Sequence, residues 1–441
     1  MPSWTTQSSV LSASVSLGPA CIAVFIAFAG CSEEARAAQR HTIVVSAPNR
    51  DYAEVPVSVT LPTRQKVAAA ALRQLDPATY VSCQLRQDNG EVEVMWILRD
   101  LKRGSSRTYE LTLGEPAPIA DIEGVILRKT DDAVQVDIEG QPFTRYYYRG
   151  LPKPVLWPII GPTGRSVTRS YPMTDALEGE REDHHHHRGL SFTHGDINGT
   201  DFWSESSKSG RAVHREFVEL ADGPVCGVIR TRNDWVTGEW EKGEPRTVDG
   251  VHLGGWKPVA EPTKLCEDER EIRIYRVGNG RLLDYTITIR ATNQELVFGD
   301  TKEGSFGIRL AGTMKVSAEL GGRIVNSNGQ TDGEAWGKAA AWCDYYGPVD
   351  GETVGVAILD HPSSFRHPTH WHVRTYGLFA ANPFGLHHFL RQEEHTGTHT
   401  VPPGETVTFK YRIFIHEGDT KAARVADVYG AYADPPVVTL K

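Results

Sequence analysis

The sequence lacks the features that mark several large classes of protein. Its six cysteines include no Cys-x-x-Cys pair, which argues against zinc-ribbon and thioredoxin-like folds. It has no excess of positive charge, because 47 Lys and Arg residues face 56 Asp and Glu residues, so it offers no basic surface to nucleic acid. Helical periodicity is also missing, which disfavours a parallel α/β fold. Beyond residue 30, no apolar run is long enough to cross a bilayer.

The one long apolar run lies at residues 11–30 and predicts a signal peptide. Two processing sites compete, a lipoprotein-like box ending at Cys31 and a small-x-small site at Ala35-Arg36-Ala37. We therefore expect residues 1–37 to be a signal peptide or lipoprotein signal, and the protein to be exported to the periplasm, the cell surface or the medium. A lipid on Cys31 is the only membrane attachment expected. Export also permits disulfides, but spacing does not specify how the remaining cysteines would pair: Cys83, Cys226, Cys266 and Cys343.

Strand patterns fill the rest of the chain. Residues 55–61, 91–98 and 107–113 alternate or run apolar, which predicts a small β-sandwich accessory domain over 38–115. A proline-rich linker follows at 115–118, and longer amphipathic strands appear at 269–277 and 282–290. The expected fold class is all-β, with a large antiparallel β-supersandwich over residues 120–441 that carries the site.

Histidine is concentrated in one stretch. Five of the seventeen histidines lie within residues 183–203, beside three aspartates. If the run from His184 to His187 is extended, His184, His186 and Arg188 share one face. A His-x-His pair on a strand is a common way to offer two imidazoles to one metal ion. Clustered titratable groups predict a functional site here, and a solvated polar loop is the plainer alternative.

Two later clusters carry similar chemistry. Lys302 and Glu303 stand at a glycine turn, where they form either a solvated turn or a general base beside an oxyanion-stabilising cation. In extended geometry His372 shares a face with His370 and Arg374, which gives a second His-x-His pair. The alternative for these histidines is a structural role in hydrogen bonds at a sheet end.

These motifs together resemble a bacterial family labelled methane oxygenase PmoA-like, a domain of unknown function frequent in secreted proteins. The segments that carry the resemblance are residues 169–172, 183–190, 195–203, 301–304, 371–378 and 382–385. Oxygenase chemistry does not transfer, because that membrane subunit has several spans. More distantly, the chain resembles the galactose-mutarotase type of supersandwich, which implies carbohydrate ligands and a histidine acid with a glutamate base. His186 matches that acid, whereas residues 377–382 hold no carboxylate.

The leading hypothesis is an exported carbohydrate-active enzyme, a sugar lyase or hydrolase, that takes a small-molecule or glycan substrate. Histidines would bind one divalent metal ion or shuttle the proton, with Glu303 as the base. The expected catalytic residues are His186, Glu303, Lys302, Arg188 and Arg374. The expected substrate-binding residues are His184, His194, Asp196, Asn198, Trp203 and Asn382. The expected metal ligands are His184, His186, His187 and His372. A non-catalytic glycan-binding protein that stacks sugars on Trp157, Trp203 and Trp371 is the second hypothesis, and a redox metalloprotein is a third.

Overall fold

The fold is described from a computed structural model that covers residues 39–119, 123–278 and 280–441. Residues from Ala38 to Lys441 form one compact unit. The predicted signal segment, with Cys31, lies outside the described residues. No helix in the described part of the chain is long and apolar enough to span a membrane.

The N-terminal strands form two small sheets around a core of their own. They are β1 Gln39–Ser46, β2 Tyr52–Pro62, β3 Ala70–Leu75, β4 Ala78–Val81, β5 Cys83–Asp88, β6 Glu91–Leu101 and β7 Ser106–Leu113. Strands β1, β7, β3 and β4 share one sheet, and β2, β6 and β5 form the other. Alternating residues such as Val94, Trp96 and Leu98 point into the core between them. The alternation that predicted these strands follows from this one-sided burial.

The remaining strands build the large sandwich. Strands β8 to β12 are Val125–Lys129, Ala133–Ile138, Gln141–Tyr147, Val155–Ile159 and Leu190–His194. Strands β13 to β18 are Arg211–Ala221, Cys226–Thr237, Trp240–Val248, Val251–Pro258, Thr263–Tyr275 and Arg281–Ala291. Strands β19 to β23 are Leu296–Phe298, Gly304–Arg309, Arg323–Asn326, Trp342–Val349 and Glu352–Asp360. Strands β24 to β28 are Trp371–Val373, Leu378–Ala381, His399–Val401, Thr406–Glu417 and Val437–Leu440.

Helices are few and short. The α-helices are α1 Leu386–Leu390 and α2 Val425–Ala433, and the 3₁₀ turns are Gly312–Met314, Val316–Ala318 and Asp332–Ala335. Strand β28 returns to the N-terminal sheet, where Leu440 pairs with Ile43. Strand β28 is therefore an edge strand of the N-terminal sheet, although it lies outside residues 38–115, the expected bounds of the small domain.

Two eight-stranded antiparallel sheets face each other. The first has the order β24-β25-β20-β12-β11-β10-β9-β8, and the second has the order β13-β14-β17-β18-β27-β23-β22-β21. Their inner faces share one large hydrophobic core, to which Phe192 and Ile308 contribute from the first sheet and Ile287 and Ile413 from the second. The expected all-β class and large antiparallel sandwich are confirmed.

The outer faces of the two sheets differ. On the second sheet, Val228 and Phe414 pack in one cluster with Met95 and Ile97 of β6 and with Val425 of α2. The N-terminal strands and α2 therefore cover that outer face. The outer face of the first sheet carries polar and aromatic side chains instead, and it holds the site.

The four described cysteines are all free, three of them buried: Cys83, Cys226, Cys266 and Cys343. None of the disulfides that export would permit is formed among these residues.

Candidate functional site on the outer face of the first sheet

The histidine run forms a tight turn, not a strand. The His187 N–H donates to the carbonyl of His184 at 2.9 Å, and His184 has a left-handed φ of 46°. The turn stacks the rings of His184 and His187 with centroids 4.9 Å apart, and the ring of His186 meets that of His187 edge-on at 4.4 Å. The extended alternation predicted for His184, His186 and Arg188 is therefore wrong, because consecutive residues of a turn do not alternate between two faces.

A buried ion group holds this turn from below. The Lys153 ammonium donates to the carbonyls of His186 at 2.9 Å and Trp203 at 3.2 Å. It also lies 3.3 Å from Glu205, which accepts from Arg188 at 2.9 Å. Burial alone would raise the pKa of Glu205, but the charges of Arg188 and Lys153 lower it to about 2. Arg188, expected to contact substrate, is thus engaged in positioning the turn.

Two buried arginines share one carboxylate beside the turn. Arg169 and Arg309 donate to the same oxygen of Asp183 at 3.0 and 3.1 Å. Arg309 also donates to Nδ1 of His187 at 3.0 Å. Burial and the neighbouring Arg169 lower the pKa of Arg309 to about 10. One negative charge between two positive charges leaves this part of the site cationic.

The contact with Arg309 fixes the chemical form of His187. A guanidinium only donates hydrogen bonds, so Nδ1 of His187 must accept and the proton of the neutral ring sits on Nε2. Burial, with help from His186 and Arg309, lowers the pKa of His187 well below its usual value. His187 is therefore a neutral imidazole with an Nε2–H group, and no described residue accepts a hydrogen bond from that nitrogen.

Tyr376 links the turn to the second histidine segment. Its ring stacks on His184 with centroids 5.6 Å apart. The guanidinium of Arg309 lies 4.8 Å from the ring centroid, and that of Arg374 lies 5.6 Å from it. Arg374 also lies 5.6 Å from the ring centroid of Trp336. Tyr376 and Trp336 therefore hold the Arg374 guanidinium between them, with both aromatic rings partly exposed.

His372 and the Lys302–Glu303 pair complete the surface. Lys302 lies 2.7 Å from Glu303, and both side chains are 40% exposed. Burial, then the charges of Arg374 and Lys302, lower the pKa of His372 to about 3. The charge of Glu303 acts in turn on Tyr376, whose pKa is raised chiefly by burial. Lys302 and Glu303 directly precede β20, the strand that carries Gly307 and Arg309.

Together these residues form one surface, the outer-face site. Its members are His184, His186, His187, Trp203, Lys302, Glu303, Arg309, Trp336, His372, Arg374 and Tyr376. Trp203 forms the floor, because its ring contacts His186 and His187 and clusters with Leu378. Gly307 makes room for it, since a Cβ there would lie 3.3 Å from the Trp203 ring.

A family model described as a family of unknown function (DUF6807) matches residues 133–430. The chain belongs to DUF6807. That description names no activity, and the methane oxygenase label is not part of it. No curated protein matches the sequence.

One solved structure of similar fold is a protein in the glycosyl hydrolase family 38 from Enterococcus faecalis. The similarity covers 91% of this DUF6807 chain and 47% of that chain, with 10% sequence identity and a TM-score of 0.41. This chain thus spans about half the length of that protein.

His194, expected to bind substrate, lies away from the outer-face site. It is fully buried on the core side of β12, with its ring 4.7 Å from that of Phe384. Both ring nitrogens have partners, the Ser305 hydroxyl at 3.2 Å and the Gly299 carbonyl at 2.8 Å. Burial lowers its pKa to about 4. His194 therefore has no ring nitrogen left for a ligand.

Asp196, Asn198 and Asn382, also expected to bind substrate, bond to nearby backbone. Asp196 accepts from the Gly199 N–H at 2.9 Å. The Asn198 side chain pairs with the segment that enters β19, at 2.6 and 3.0 Å. The buried Asn382 amide donates to the Thr301 carbonyl at 2.9 Å. These side chains fix loop shapes, because short polar side chains readily satisfy local backbone groups.

The expected metal ligands do not form a ligand group. Within residues 39–119, 123–278 and 280–441, no three His, Cys, Asp or Glu side chains are placed to hold one metal ion. The turn directs the three neighbouring imidazoles differently, and Nδ1 of His187 is already occupied by Arg309. Metal binding by His184, His186, His187 and His372 stays a prediction.

Several residues of the site were not assigned to it from sequence, chiefly Arg169, Arg309, Trp336 and Tyr376. One signal was available for Arg309. Phe306 and Ile308 of β20 face the core, and successive side chains of a strand point to opposite faces. The charged side chain of Arg309, which follows Ile308, therefore faces away from the core. Tyr376 is partly exposed, and the guanidinium groups of Arg309 and Arg374 lie over its ring.

Proposed function

We propose that this DUF6807 protein is a carbohydrate-active enzyme, a sugar lyase or hydrolase, that works by acid–base catalysis at the outer-face site. The observation that supports the proposal is the joint placement of neutral imidazoles, an ion-paired carboxylate and partly exposed aromatic rings on one face of one sheet. Aromatic rings suit the apolar face of a sugar, and the polar groups beside them suit proton transfer to and from it.

The roles follow from the protonation states. Glu303 is the proposed base, since it is exposed and adjoins the cation Lys302 at 2.7 Å. His187 supports the turn and does not contact the substrate, because its Nε2 atom is buried. His186 lies beside it, and burial together with Lys153 lowers its pKa to about 3. A neutral His186 can accept a hydrogen bond from a sugar hydroxyl.

The test compares His186→Ala and Glu303→Gln with the wild type on a panel of glycans, with product release as the readout. Each change is expected to lower turnover by about a hundredfold or more while the unfolding midpoint stays close to that of the wild type. His361→Ala is the matched control, because His361 packs on Tyr432 of α2, away from the site. Full turnover by folded His186→Ala would remove His186 from the mechanism.

A non-catalytic glycan-binding protein is the second candidate. Trp336 supplies partly exposed aromatic surface for it, whereas the expected platforms Trp157, Trp203 and Trp371 are buried, and Trp371 bonds to the Ala340 carbonyl at 2.9 Å. Trp371 therefore cannot be the expected stacking platform, and Trp336 takes that place. Saturable glycan binding with no product after long incubation would favour this candidate.

We also propose that the protein is exported and takes a small-molecule or glycan ligand, not nucleic acid. Fractionation of cells that express the full chain tests export. The processed protein is expected in the periplasm, on the cell surface or in the medium, and an unprocessed chain in the cytosol would contradict export.

A further inference from the structure

Arg374 is the arginine of the outer-face site that lacks a carboxylate. Among the described residues, no Asp or Glu side chain lies within ion-pair distance of its guanidinium, which is held instead between Trp336 and Tyr376. By contrast, Arg309 is paired with Asp183 and Lys302 with Glu303. Stacking on two rings fixes the plane of a guanidinium while leaving its N–H groups at the edge.

The site also carries more positive than negative charge. Arg309 and Arg169 share the single carboxylate of Asp183, so one of their two charges is not balanced. Arg374 adds a further unbalanced charge. The buried imidazoles of His186, His187 and His372 add none, because burial and nearby cations lower the pKa of each. An anionic ligand would therefore be attracted to this surface.

We propose that the outer-face site takes an acidic sugar, a uronate, whose carboxylate binds the edge of the Arg374 guanidinium while the sugar ring packs against the partly exposed Trp336. A planar guanidinium matches a carboxylate with two parallel hydrogen bonds, which a neutral hydroxyl cannot form. The proposal rests on the proposed function for the sugar ligand and adds that this sugar carries a negative charge. It makes Arg374 a specificity-determining residue.

Direct binding tests the proposal with D-glucuronate and D-galacturonate beside D-glucose and D-galactose. The proteins are the wild type, Arg374→Gln, Arg374→Lys and the control Arg64→Gln, which removes the same charge from an exposed residue of the N-terminal region. At least one uronate is expected to bind the wild type about tenfold or more tighter than its neutral counterpart. Arg374→Gln should lose that preference, Arg374→Lys should keep part of it, and Arg64→Gln should keep all of it.

Salt and stability measurements complete the design. Uronate affinity should fall as ionic strength rises, because charge attraction is screened. Circular dichroism and thermal unfolding establish that the variants are folded. Equal binding of uronate and neutral sugar, unchanged uronate binding by Arg374→Gln, or no binding of either uronate would overturn the proposal.

The two proposals fail separately. Turnover of neutral glycans with no uronate preference would leave the enzyme assignment standing and remove the acidic substrate. Arg374-dependent uronate binding without product from any glycan would keep the ligand class and remove the enzyme assignment.

Discussion

Glu205 offers the sharpest test of how the histidine turn is held. Its carboxylate is 1% exposed and lies between Lys153 and Arg188, whose side chains are 3% and 13% exposed. Glu205→Gln removes the negative charge and leaves a buried ammonium without its counter-ion. Breaking a buried pair in this way costs about 3 kcal/mol of unfolding free energy, because the remaining charge is desolvated and unpaired.

The assay is equilibrium urea unfolding of the wild type and Glu205→Gln at neutral pH. The urea concentration at the unfolding midpoint should fall, while the slope of unfolding free energy against urea concentration stays the same. This combination identifies a change in stability and not in the surface exposed on unfolding. Glu241→Gln is the matched control, because Glu241 pairs with Lys257 at 3.0 Å with both side chains more than half exposed. That change should cost less than about 1 kcal/mol. If Glu205→Gln costs no more than the control, the buried ion group does not hold the turn.

Three further predictions follow from other parts of the fold. Burial lowers the pKa of His194 to about 4, so at this residue the unfolded chain binds more protons between about pH 6.5 and 4. His194 alone should therefore contribute a loss of about 3 kcal/mol of unfolding free energy as pH falls through that window, and urea unfolding should show a correspondingly smaller loss in His194→Gln than in the wild type. Trp371 is fully buried, so Trp371→Ala should cost about 3–5 kcal/mol in the same assay; near-wild-type stability would contradict its place in the core. Elemental analysis of the purified protein beside a His186→Ala, His372→Ala double variant tests the metal-binding prediction: one metal ion per chain, lost in the double variant, is the result it expects, and no stoichiometric metal in either protein would contradict it.

The strands were predictable because each buries one side. Residues 91–98 and 282–290 alternate in hydrophobicity, and they lie within β6 and β18, whose inner residues enter a core. The same rule gave the antiparallel class, since long amphipathic strands without intervening helices cannot build a parallel sheet. The partner of the last strand was not predictable, because β28 pairs with β1 across almost the whole sequence.

The residue types of the candidate site could be predicted from the sequence, but their spatial arrangement could not. The concentration of histidine predicted a candidate segment, but residue counts do not distinguish a turn from a strand. The turn is set by buried partners distant in sequence, such as Lys153, whose ammonium reaches the carbonyl of His186. The polar residues at 196 and 198 looked equally suited to a ligand, yet each has a nearer backbone partner. Long-range contacts decide which polar side chains remain free.

The measurement that tests the central claim most directly is long incubation of the wild type and Glu303→Gln with neutral and acidic glycans, followed by mass spectrometry of the products. We expect the wild type to cleave at least one glycan, and Glu303→Gln to bind that glycan with similar affinity while forming no product. Saturable binding without product by the wild type, or equal product from both proteins, would contradict acid–base catalysis at the outer-face site.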